Sequence, residues 1–186
     1  MIRQIAICVA LACAALTSAS GAQWNVDHTK SRLGFSVVWS GQAFEATFKS
    51  WKADIQFDPT DLAHSHANVT IDLASESSAA PDNDDGLKGA EGFAIHQFPT
   101  ARFETTAFTA KGGNNYFAMG HLTLHGVSRA ITLPFTLVLS EDSAHMTGKT
   151  AVLRTDFGLG KGEWASAATI AHEVAITVDL TATKSH

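Results

Sequence analysis

Two pairs of histidines have spacings that could set imidazoles side by side, in a chain of 186 residues that holds nine of them. His64 and His66 are two residues apart and His121 and His125 four apart, so on a strand each pair shares a face. Two imidazoles on one face, joined by a third ligand from a neighbouring strand, make an open zinc site. Three features weigh against that reading. No H-E-x-x-H or comparable spacing accompanies the pairs, His64 and His66 fall at a turn, and His121 and His125 share the polar parity with Thr123, opposite Leu122 and Leu124. A metal-binding protein or enzyme using His64, His66, His121 and His125 is therefore the alternative, and no metal site is assigned.

Other chemistries leave less trace. There is no G-x-S-x-G elbow, and the glycines fall at turns rather than in a Walker or Rossmann pattern. Asp156 and Glu163 flank one loop and read as solvated charges. No catalytic residue is assigned, and the chain is not read as an enzyme. Nor does it read as a nucleic-acid binder. Its formal charge is −5 and its 13 Lys and Arg are scattered, whereas neutralising phosphates takes clustered cations. With 45% hydrophobic and 17% charged residues it has the material for one well-packed domain and not the composition of a disordered chain.

Residues 1–22 read as a secretory signal peptide: Arg3, an apolar run from Ile5 to Leu16, then Ser20 and Ala22 in a small-x-small cleavage pattern. The run is shorter than the roughly 20 residues a membrane-spanning helix needs. Cleavage after Ala22 removes Cys8 and Cys13, both of the chain's cysteines, leaving an exported, thiol-free domain over residues 23–184.

The elements that must position any site alternate with period two. Leu33, Phe35, Val37 and Trp39 share one parity, and beyond a Ser40-Gly41 turn Phe44, Ala46 and Phe48 share another. Parity flips to Trp51, Ala53, Ile55 and Phe57, which predicts a bulge or bend near Lys49-Ser50. Ala67, Val69, Ile71 and Leu73 follow, then strands around 101–109, 116–125, 131–139 and 144–156, and a last alternation from Ile170 to Leu180. Gly112-Gly113-Asn114-Asn115 and Gly126 supply hairpin turns. Pro81 to Phe98 lacks alternation and predicts one or two helical turns, capped within Asp82 to Asp85 and carrying Leu87 and Lys88. The fold class is all-β, about eight strands in a sandwich or barrel with one short helical segment.

Aromatic side chains are many for such a domain. A barrel of about eight strands either fills its interior or holds one small apolar ligand. The predicted inward face comprises Leu33, Phe35, Val37, Trp39, Phe44 and Phe48, with Val69, Ile71 and Leu73 beside it and Phe93, Phe98 and Phe103 completing the wall. The stretch from Gly158 to Ser166, with glycines at 158, 160 and 162, reads as a mobile flap whose Trp164 covers the open end and touches the ligand.

Several stretches, in this order, resemble the YceI-like proteins. They are Trp24-Asn25-Val26-Asp27, Ser31 to Phe35, Phe48, Ile55 to Asp58, Val69 to Ser75, Leu87-Lys88, Phe98 to Phe103, Gly120 to Arg129, Arg154 to Gly158 and Glu173 to Ile176. Lys30 stands where the family often has His, and Asp84-Asp85 where it often has Arg-Asp. The resemblance implies an extended lipocalin-like antiparallel β-barrel in the periplasm. Its apolar long-chain ligand would be a polyisoprenoid, isoprenoid quinone or other lipid, held non-covalently with no further cofactor and no catalytic residues. The Gly162-Glu163-Trp164-Ala165-Ser166 loop is similar to a subgroup that accompanies haem-b membrane cytochromes. It implies transient contact with such a cytochrome b or the membrane surface, and a homodimer is left open.

Overall fold

The computed structural model describes residues 21–78 and 80–185. Apart from Gly21 and Ala22 the expected signal peptide, with Cys8 and Cys13, lies outside the described residues. Eleven strands and one α-helix run in the order β1 (Gln23–Val26), β2 (Arg32–Trp39), β3 (Gln42–Phe48), β4 (Trp51–Gln56), β5 (His66–Asp72), β6 (Glu76–Ser78), α1 (Pro81–Lys88), β7 (Thr100–Gly112), β8 (Asn115–Leu124), β9 (Val127–Leu139), β10 (Ser143–Leu153) and β11 (Glu173–Lys184).

Eight of these strands close an antiparallel ring in the order β1-β4-β5-β7-β8-β9-β10-β11, with β11 pairing back to β1. The other three, β2-β3-β6, hang from β11. The outer edge of β11 is shared: Ala175 to Asp179 pair with β2, and Ala182 to Lys184 pair with β1. Next to β1 the ring is therefore sealed directly by the short β1 ribbon, and further along the three-stranded wing stands between β11 and β4.

Tight two-residue turns set the register of two hairpins. Ser40 (φ 49°) and Gly41 (φ 76°) join β2 to β3, and His125 (φ 53°) and Gly126 (φ 74°) join β8 to β9, the doubly left-handed geometry that suits the right-handed twist of the strands. Of the bulge or bend expected near Lys49-Ser50 the structure has the bend, at Lys49, and it marks a change of strand partners. β3 pairs with β2 and β6, β4 with β1 and β5, so the chain leaves one pairing partnership for another. Ser75 fastens the corner, its carbonyl accepting from the Lys49 N–H and its hydroxyl from the Ser50 N–H.

A real bulge sits in β7. Thr105 pairs with Gly120 and Ala107 with Met119, leaving Thr106 as the extra residue. Phe103 and Thr105 face inward before it and Phe108 after it. Gly120 is required opposite the bulge, since a Cβ there would come within 2.4 Å of the Glu104 carbonyl oxygen.

Rings line and narrow the β1 end. Phe57 contacts Phe108, Tyr116 and Phe135 at centroid distances of 5.1, 5.5 and 6.2 Å, each close to edge-on. Trp24, buried on β1, donates its indole N–H to the Phe57 carbonyl at 3.0 Å, so the closing strand is fixed by packing and by one buried hydrogen bond. Replacing Trp24 with Ala is expected to cost about 3–5 kcal/mol in urea unfolding. Val38→Ala, at a side chain 50% exposed on β2, should stay within about 0.5 kcal/mol of the parent. Equal effects would contradict the assigned role of β1.

Candidate functional site: an apolar cavity

Alternation sends one side chain in two toward the barrel axis, and these inward chains do not fill it. They line a cavity of about 260 Å³ running the length of the ring, from Trp24, Phe57, Leu139 and Ala182 to Phe93, Gly160, Trp164 and Ile170. Polar side chains on the wall turn back to the backbone. Thr105 Oγ1 accepts from the Ala67 N–H and donates to the Ala67 carbonyl, Thr150 Oγ1 donates to the Thr132 carbonyl, and Trp24 is bonded as above. Glu91 stands at the far end, where a Cβ added to Gly162 would lie 2.2 Å from its Oε1.

Ten of the predicted wall residues lie on this lining: Leu33, Phe35, Val37, Phe48, Val69, Ile71, Leu73, Phe93, Phe103 and Trp164. Three do not. Trp39 and Phe44 form a layer behind it, their rings 5.3 Å apart, with Phe44 6.2 Å from Phe35 and Trp39 5.1 Å from Trp164. Phe98 lies off the cavity, against the β8–β9 turn, 4.6 Å from the His125 ring and pressed on Gly126. Sequence reasoning passed over Trp24, Trp51, Phe57 and Phe108 as lining. Phe108 was concealed by the β7 bulge, Trp51 and Phe57 share a parity that was read without being placed on the wall, and Trp24 entered only through the family-like opening motif.

Opposite the β1 end, α1 and the segment 154–170 form a roof. Pro81 opens α1 at a position where its missing N–H costs nothing, and Leu87 is its buried anchor. The predicted flap follows one defined, hydrogen-bonded path. Gly158, Gly160 and Gly162 have φ of 71°, 78° and 59°, so these glycines serve a defined left-handed path. Arg154, 6% exposed, holds that path: Nη1 donates to the Leu159 carbonyl, Nη2 to those of Trp164 and Ile170, and Nε to Ala171, at 2.6–3.1 Å. Burial lowers the guanidinium below its ordinary pKa. A planar fork can gather four carbonyls from one loop in a way a lysine cannot. Trp164 lies against Gly86 of α1, where a Cβ would come within 3.2 Å of Cζ2, and the Gly160 N–H donates to the Glu91 carbonyl.

A second buried ionisable group escaped sequence reasoning because it occupies an ordinary strand position. Glu76 on β6 is 2% exposed, and among the described residues no hydrogen bond reaches either carboxyl oxygen. Burial, and then the adjacent Asp84, raise its pKa to about 7. Asp84, buried on α1, goes the other way: its own burial opposes ionisation, but the hydroxyl and N–H of Ser78 both donate to it and hold it below the usual value.

The histidine pairs come apart. His64 ends a single 3₁₀ turn and bonds Asp61 at 2.8 Å, whereas His66 opens β5 and faces Asp54 at 3.7 Å. His121 is exposed on β8, but His125 sits in the left-handed turn beyond it, with Nδ1 3.2 Å from the Phe157 carbonyl. Among the described residues no three His, Cys, Asp or Glu side chains converge as metal ligands would.

Residues 24–182 match the model of the YceI-like domain, and the chain belongs to that family. A UPF0312 protein of Vibrio vulnificus is 32% identical over 113 residues, which are 61% of this chain and 57% of that protein, so the match spans little more than half the relative's length. Among solved structures, Burkholderia cenocepacia BcnA is 30% identical with a TM-score of 0.81 over 84% of this chain and 99% of its own. A domain from Saccharophagus degradans, described as polyisoprenoid-binding, shares the fold at 16% identity and a TM-score of 0.67, over 89% of this chain and 99% of its own.

Arg154→Lys keeps the charge but removes the fork. It should cost about 3 kcal/mol in unfolding and raise amide exchange across residues 158–171, because buried carbonyls lose their donors. A variant as stable and as protected as the parent would show that the loop holds itself.

Proposed function

We propose that this YceI-like chain is a binding protein for a polyisoprenoid, an isoprenoid quinone or another long-chain lipid, held in the barrel interior. The observation that carries this reading is the cavity itself, an apolar tube whose polar wall side chains, short of the Glu91 rim, are committed to the backbone. Leaving such a tail in water costs about 0.8 kcal/mol for each exposed methylene, and a tube of this kind removes that penalty without any titratable group at the tail. The Saccharophagus degradans domain of the same fold supports the choice of ligand class. Transfer or storage of a lipid, rather than its chemical conversion, is the role this wall suits. The signal-like N-terminus supports a periplasmic setting, where the protein would meet the membrane surface or a membrane cytochrome b as it loads.

Protein purified without detergent and extracted with organic solvent should yield one isoprenoid or long-chain lipid species by mass spectrometry, close to one per chain, with no stoichiometric metal. Stoichiometric zinc with an empty interior would overturn the reading and restore the histidine alternative.

Trp164 lines the cavity between Trp39 and α1, so it closes the roof over the tail. Trp164→Ala should speed lipid release about tenfold while thermal stability changes little, since the ring is only half-buried. A large loss of stability with unchanged release would make Trp164 ordinary core.

A further inference from the structure

We propose that Glu76, Asp84 and Ser78 form a proton-operated latch that holds α1 down over the cavity mouth and lets it rise when Glu76 is ionised. The inference rests on the reading of the cavity as a lipid site, and it adds a control on access to that site.

The geometry places the latch at one seam. Among the described residues the three-residue strand β6 pairs only with β3, where Glu76 is opposite Phe48 and so shares the face on which Phe48 lines the cavity. α1 follows within a few residues and brings Asp84 back onto Ser78. Leu87, one turn on, enters the cavity wall, and Gly86 carries the ring of Trp164. A small movement of α1 therefore unseats Leu87 and uncovers Trp164 together.

Asp84 and Lys88, both on α1, are the charged groups that face Glu76, and β3 opposes it with Phe48. Asp84 is satisfied by Ser78, which favours its ionised form, whereas among the described residues Glu76 has no donor of its own. Protonated, Glu76 is neutral and sits beside the Asp84 carboxylate without repulsion. Ionised, it places a second carboxylate in a buried seam with Lys88 as the nearby cation, and raising α1 into water relieves both burial and repulsion.

The direction of the pH effect follows. Glu76 binds its proton more tightly in the closed form, at about 7 against an ordinary 4.5. The closed form is therefore fully favoured below the ordinary value, weakens as pH rises toward 7, and levels off above it.

Amide exchange read as protection factors, which remove the intrinsic pH dependence, tests this without any ligand. In the parent protein, protection over Asp84 to Lys88 should fall at least about tenfold between pH 5 and pH 7.5 and then level off. Glu76→Gln, which mimics the protonated side chain, should hold full protection across that range. Asp84→Asn keeps an acceptor for Ser78 while removing the charge, and should show a smaller fall than the parent. A parent protein whose α1 protection does not change, or a Glu76→Gln variant that loses it as the parent does, overturns the latch. Retinol, a neutral isoprenoid alcohol with its own fluorescence, separates this from the underlying reading. Retinol bound with the same release rate at pH 5 and 7.5, over an α1 of constant protection, defeats the latch and leaves lipid binding intact. No retinol uptake at any pH, with Glu76-dependent loosening of α1, supports the latch and counts against the lipid reading.

Discussion

The architecture turns on how one strand divides its edge. β11 pairs along its length with β10, and its other edge has two claimants: β1 takes Ala182 to Lys184 and β2 takes Ala175 to Asp179. A strand edge offers each backbone group one partner, so the division fixes the barrel's shape. Where β1 has the edge, the ring closes on itself and the rings of Phe57, Phe108, Tyr116 and Phe135 pack its interior. Where β2 has it, the wing stands in the wall and chain outside the named strands must cover the end, tied to β2 by the bridge between Trp39 and Ile170. α1 and the loop after β10 are that cover, and the glycines, Arg154 and Trp164 serve to hold it in place.

The polar groups follow a consistent logic. An unpaired polar atom facing an apolar interior costs several kcal/mol, so a wall meant for hydrocarbon must either exclude such atoms or bind them elsewhere. Thr105, Thr150 and Trp24 are each bound to main chain, and Arg154 is wholly occupied in gathering the carbonyls of the roof. Glu76 departs from this pattern, buried beside a second carboxyl group and without a donor among the described residues. A group that costs stability at neutral pH has a use where something must move, and it sits under the one helix of the roof.

Much of this was legible in the sequence. Period two gave the strands, the Ser40-Gly41 and Gly126 turns gave hairpins, and the ordered motifs from Trp24 to Ile176 pointed to the family. The inward parity of β2, β5 and the start of β7 could be read because a half-buried strand cannot exchange its faces. Legibility failed where pairing is non-local. The bend at Lys49-Ser50 could be read, but not that it marks a change of strand partner, while the bulge in β7 left no mark and hid Phe108. Arg154 and Glu76 gave no signal, since their importance comes from carbonyls and a carboxylate that only the folded chain brings to them. The glycines at 158, 160 and 162 were read for their backbone freedom, and the structure gives that freedom a specific use, since each adopts a positive φ.

The central claim is that the interior is a tube for hydrocarbon, and a chain-length series tests it most directly. Calorimetric titration with linear primary alcohols of increasing length holds the polar end constant and lengthens the tail alone. Affinity should rise about fourfold for each added methylene, with a negative heat-capacity change that grows in step, until the tail exceeds the cavity and the gain stops. Affinity that ignores chain length, or binding with no heat-capacity change, would contradict the account.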